Sequence, residues 1–121
     1  MMSPEEKLLS TLGLCARARK LVMGTPMVCE ALREKKTPVV VVLEASDTSE
    51  NTHKKLTDKC AFYGVPLYRL AADTTRLGRA VGKTGAVAAV GVTDESLYNA
   101  LAKHLPKGEA ADGETNTIPN E

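Results

Sequence analysis

Arg17, Arg19 and Lys20 stand just ahead of a glycine, Gly24, and the chain then turns directly into a helix start at Thr25-Pro26. These residue types at this spacing suit one kind of chemistry, the binding of an anion. Gly24 lets the backbone approach a partner closely, Thr25 is a good N-cap, and Pro26 suits the first helical position. The free N–H groups and positive dipole end of such a helix attract negative charge, phosphate above all. Nucleic acid or a phosphorylated ligand is therefore the expected class of partner. An ordinary capped helix beside a solvated basic turn carries the same local signature.

Other arrangements carry less. Gly78-Arg79-Ala80-Val81-Gly82-Lys83-Thr84 resembles a phosphate-binding P-loop, but Leu77 stands where its first glycine belongs. A helix precedes it and a strand follows, the reverse of the P-loop order. Gly82 reads as a helix C-cap and Lys83-Thr84-Gly85 as the loop into the next strand. His53 and His104 sit in no metal or triad spacing, and Asp94-Glu95 reads as a helix start. Cys15, Cys29 and Cys60 form no Cys-x-x-Cys pair and fit reduced thiols packed as small apolar groups. Cys29, near the basic segment, is the thiol that cations would activate. No catalytic residue, cofactor or metal is expected. Lys54, Lys55 and Lys59, with Asn51, suit a solvated helix face or an RNA backbone contact.

Composition sets the bounds. A chain of 121 residues makes one domain with a real core. Phe62, Tyr63, Tyr68 and Tyr98 are its only aromatics, which argues against surfaces that stack several bases in a row. Beyond Gly108 the acids Glu109, Asp112, Glu114 and Glu121 face no Lys or Arg, so residues 1–107 hold 16 basic and 11 acidic side chains, a net of +5. A mildly basic body is compatible with a polyanionic partner. No apolar run reaches membrane-spanning length and no signal-peptide pattern opens the chain, so a cytoplasmic protein with no membrane role is expected.

The elements that must position these residues follow from local signals. Ser3-Pro4-Glu5-Glu6 is a capping box, and Leu8, Leu9, Leu12 and Cys15 predict a helix over 4–16. A strand at 20–23 and a helix after Thr25 come next. Pro38 opens the β-branched strand 39–43, which reads as covered on both faces. Asp47 to Ser49 cap a helix through Cys60, and strand 65–70 follows. Thr74 or Thr75 caps a helix through Val81, before strand 86–92. Thr93-Asp94-Glu95 starts a last helix stopped by Pro106 and Gly108. The expected fold class is α/β, a three-layer α/β/α sandwich with a central four-stranded sheet, forming a single domain over 1–107. The acidic tail 108–121 reads as disordered.

Gly24-Thr25 opening the second helix, Val65-Pro66 at the third strand and Leu77-Gly78-Arg79-Ala80-Val81-Gly82 appear in the order seen in the ribosomal protein L-seven-Ae and L-thirty-e superfamily, which binds kink-turn RNA. The chain resembles that family over about residues 5–103. Ala16-Arg17-x-Arg19-Lys20-Leu21-Val22 and Ser49-Glu50-Asn51-Thr52 look most like its small bacterial branch. The resemblance implies a non-catalytic RNA-binding protein, a monomer in a ribonucleoprotein, associated with the ribosome or another structured RNA. It implies contacts from Arg17, Lys20, Gly24, Thr25, Met27, Lys83, Thr84 and Gly85. Family members that bind kink-turns strongly carry a polar residue, then Glu or Gln, then Lys after the Gly-Thr pair. Pro26, Met27 and Glu30 stand there in this chain, a pattern that also suits a protein-interaction module on the same fold.

Overall fold

Side chains along β2 (Val41–Glu44) alternate between two cores, and this alternation layers the molecule. The computed structural model describes residues 3–34, 36 and 38–105. The expected disordered tail, and Pro106 and Gly108 as helix stops, lie outside the described residues.

In chain order the elements are α1 (Pro4–Arg17), β1 (Leu21–Met23), α2 (Thr25–Glu34), β2, α3 (Glu50–Tyr63), β3 (Leu67–Arg69), α4 (Thr74–Ala80), β4 (Ala89–Val92) and α5 (Glu95–Ala102). The strands lie in the order β1-β4-β2-β3. β4 runs antiparallel to both neighbours, with Met23 opposite Val90 and Glu44 opposite Ala89, while β2 and β3 are parallel. One face of this mixed sheet buries Val41, Leu43, Val90 and Val92 against Leu8, Leu12 and Cys15 of α1, Leu77 of α4 and Leu101 of α5. The other buries Val42, Leu67 and Ala89 against Val28 and Leu32 of α2 and Leu56 and Cys60 of α3. The α/β/α sandwich is therefore present as expected. Each of these buried leucines carries ~2–5 kcal/mol against truncation to alanine.

Local capping follows the sequence where partners are close. The Ser3 and Glu6 side chains exchange bonds with each other's backbone amides at 3.2 and 2.9 Å. Ser49 accepts from the Thr52 amide, and Gly64, at φ 69°, closes α3 in the left-handed region. Other ends differ from expectation. α4 is capped by Asp73, because Asp47 accepts from both the amide and the hydroxyl of Thr74. β4 starts at Ala89, not residue 86, since the Val87 amide donates to the Thr74 carbonyl. At the end of α1 the Arg19 and Lys20 amides donate to Ala16 and Cys15. That closure puts a non-glycine residue, Arg19, at φ 60°.

Candidate nucleic-acid interface

The start of α2 is built by the sheet. The Gly24 amide donates to the Ala89 carbonyl at 2.8 Å, extending the pairing of β1 with β4 by one residue. The chain then turns at φ 93°, which favours glycine, and the Gly24 carbonyl accepts from the Val28 amide at 2.9 Å. Gly24 is thus the N-cap, and Thr25, expected in that role, is the first helical residue. Displaced from capping, the Thr25 hydroxyl is buried with no hydrogen-bond partner. Pro26 has no N–H, so the Thr25 and Met27 amides remain as donors at this helix end.

Opposite them lies the loop between α4 and β4. The Lys83 amide donates back to the Gly78 carbonyl at 2.9 Å, and Gly82 turns at φ 83°. The loop rests directly on α4. A Cβ at Gly78 would stand 2.1 Å from the Gly85 carbonyl oxygen, so only glycine permits this seat. Between loop and helix start is a shallow cavity of about 450 Å³, edged by Met23, Gly24, Thr25, Pro26, Lys83 and Gly85.

Four expected residues, Gly24, Thr25, Lys83 and Gly85, therefore meet around one cavity. Thr84 is exposed on the same loop but does not line it. Met27, 56% exposed, faces a neighbouring depression of about 340 Å³ with Arg19, Leu21, Glu30 and Glu34. Glu30 is thereby turned away from the cavity. Hydrogen bonding with Glu34, and then with Arg33 at 2.6 Å, holds its carboxyl below the usual carboxylate range. Arg17 joins Arg79 and Gly82 around a third hollow of about 300 Å³, which meets the main cavity at Met23. Lys20 is not beside Gly24. Its carbonyl accepts from Thr93 at the other end of β1, ~13 Å away at strand rise.

Arg79 was missed as a site residue by sequence reasoning. Its signal was Gly13, a glycine inside a helix: a Cβ there would meet the Ala80 carbonyl at 2.9 Å, so α1 and α4 cross closely enough to pair their arginines over one hollow.

A second polar cluster also went unforeseen. Glu44, the last residue of β2, is 0% exposed. Its carboxylate accepts from the Thr48 hydroxyl and bonds His53 Nδ1 at 2.8 and 3.0 Å. Below it, burial first, then Cys29 and Glu44, push the Cys60 thiol up to about 12. Among the described residues no group of three or more His, Cys, Asp or Glu could hold a metal ion, and no helix is long and apolar enough to cross a membrane.

Comparison with known proteins gives the family and the fold. Residues 6–102 match the family described as Ribosomal protein L7Ae/L30e/S12e/Gadd45. RNA-binding protein YlxQ of Bacillus subtilis (strain 168) is 43% identical over 94 residues, 78% of this chain and 90% of that protein. RNA-binding protein YlxQ of Enterococcus faecium is 36% identical over 78 residues, 64% and 73% of the two chains. A solved protein of unknown function from Bacillus halodurans C superimposes with a TM-score of 0.73 at 39% identity, covering 81% of this chain and 95% of that one. The Giardia lamblia 15.5kD RNA binding protein shares the fold, with a TM-score of 0.67 at 20% identity and 81% of each chain covered.

Proposed function

The chain belongs to the ribosomal protein L7Ae/L30e/S12e/Gadd45 family, and on that footing we propose that it binds a structured, kink-turn-like RNA at the start of α2 without catalysing a reaction. The observation that carries this reading is the helix start left open. A glycine-capped helix start whose Thr25 amide has no partner edges a cavity closed on its far side by the Lys83 loop, and the Thr25 hydroxyl is buried there without a partner. Base edges supply the acceptors that these groups lack, and the glycine at position 24 lets a nucleotide come close. Lys83 meets a phosphate at the rim, and Arg17 with Arg79 meets the next one along the adjoining hollow. Pro26 and Met27 contribute apolar contact, while Lys20 acts from further off through its charge. Such phosphate contacts set affinity and its salt dependence, and the cavity sets selectivity. In the cell this reading puts the protein in the cytoplasm, as a monomer on ribosomal or another structured RNA.

Titration of a kink-turn RNA and of a straight duplex of equal length over a salt series tests it. The kinked RNA binds at least ~10-fold more tightly, and Lys83→Ala lowers the slope of log affinity against log salt by about 1. Equal weak binding to both RNAs defeats kink-turn recognition. One observation favours a second reading, a protein-interaction surface: Met27 is 56% exposed over a depression floored by Leu21 and Ala31. Crosslinking that recovers a protein through Met27, and no RNA, would select it.

A further inference from the structure

Asn51, Lys55, Lys59 and Phe62 recur at intervals of four, four and three residues, so they line one stripe of α3. All four are exposed, Phe62 to 80%. Asp58, the acid within this stretch, is taken by Lys54 at 3.0 Å. Lys55 and Lys59 have no ion-pair partner among the described residues. Along the helix axis they are ~6 Å apart. The Phe62 ring meets Tyr63 edge-on, with centroids 4.9 Å apart and planes at 88°, and Tyr63 packs against the core under α2 and α3. An aromatic ring is thus steadied from one side and open to solvent on the rest.

The stripe begins near the proposed RNA site. Glu44, where β2 ends ahead of α3, pairs with Ala89, and Ala89 also accepts from Gly24. The two helices therefore start at the same end of the sheet. From Asn51 the stripe runs ~17 Å along α3 to Phe62.

From this placement we infer that α3 is a second RNA contact. It holds a single-stranded segment leaving the element bound at α2, with one base stacked on Phe62 and backbone phosphates on Lys55 and Lys59. Rings take unpaired bases of any sequence, and adjacent ammonium groups neutralise the backbone that carries them. A protein partner fits less well, because Phe62 stands among lysines and not in a continuous apolar patch. The inference rests on RNA binding at α2 for its position, though its own chemistry is independent.

The test uses the full chain and three RNAs: a blunt kink-turn hairpin, the same hairpin with a ten-uridine single-stranded extension, and the ten-uridine strand alone. The extension tightens wild-type binding by ~5-fold or more. Phe62→Ala and the pair Lys55→Ala with Lys59→Ala each abolish that gain and leave blunt-hairpin affinity within twofold. The chain has no Trp, so Phe62→Trp adds a single reporter, and the extended hairpin quenches its fluorescence while the blunt one does not. A gain that survives both sets of alanine variants overturns the inference, as does no gain at all. So does protein capture or self-association that depends on Phe62 while every RNA affinity stays unchanged. If kinked and straight RNAs bind alike yet the extension still gives a Phe62-dependent gain, the kink-turn reading fails and the α3 contact stands.

Discussion

α2 and α3 begin at the same end of the sheet and are finished in opposite ways. Around the start of α3 the buried carboxylate and the cap both have partners. Ser49 caps the helix, and the Glu44 carboxylate beneath it is closed off by Thr48 and His53. At the start of α2 the cap is a glycine with no side chain to offer. The second helical residue is a proline, and the one buried hydroxyl is unpartnered. One helix end uses its side chains to close itself, and the other has none placed to do so. The difference shows how a single scaffold separates stability from recognition: the satisfied end holds α3 to the sheet, and the unsatisfied end waits for acceptors from outside.

Four measurements test this contrast. Gly78→Val puts a branched side chain where even a Cβ meets the Gly85 carbonyl. We expect a loss of ~3 kcal/mol in denaturant unfolding. Kink-turn affinity should also fall more than ~10-fold at temperatures where the protein stays folded, since an overpacked α4 pushes the Lys83 loop off its seat. Unchanged affinity would show that the loop is not part of the open site.

Glu44→Ala attacks the closed end. Removing a fully buried carboxylate strands the Thr48 and His53 groups and leaves a void, at a cost of ~2 kcal/mol. RNA affinity at 25 °C should hold within twofold, and a parallel loss would mean that the two helix starts are coupled.

Thr25→Val should do the reverse. Deleting a buried hydroxyl without a partner stabilises the free protein by ~1 kcal/mol and weakens RNA binding. A destabilised variant would show that the hydroxyl is already satisfied in the free state.

The smallest effect is in pH. The Cys60 thiol, moved by burial from 9.0 to about 12 in the folded protein, holds its proton more tightly folded than unfolded. Its contribution is complete below pH 9 and fades as pH rises toward 12. Between pH 8 and pH 10 the wild type should lose ~1 kcal/mol more stability than Cys60→Ala. Parallel pH profiles would place the thiol in contact with water.

Much of the fold was legible because its signals are local. The Ser3–Glu6 capping box closes within three residues, and the apolar run 39–43 signals a buried strand, which the structure places at Val41–Glu44. Sequence reasoning failed where a distant group outbid a near one. Thr25 and Thr74 both look like caps. Gly24 takes that role at α2 because Ala89 fixes its amide, and Asp47 occupies the Thr74 amide and hydroxyl, leaving Asp73 to cap α4. Glu44 follows five apolar residues and looks like the polar end of a strand. Its partner His53 becomes visible only once α3 folds back across the sheet. Lys20 and Gly24 are close in sequence yet at opposite ends of β1, because an extended strand separates what a turn would have brought together.

The amino-acid order by itself determined the succession of helices and strands, the two apolar faces of the sheet and the supply of cations and glycines. Those depend on periodicity and on bonds spanning three or four residues. Tertiary structure alone decided which polar groups stay open. A donor is free only if nothing else in the fold claims it, and the claimants here come from strands and loops far along the chain.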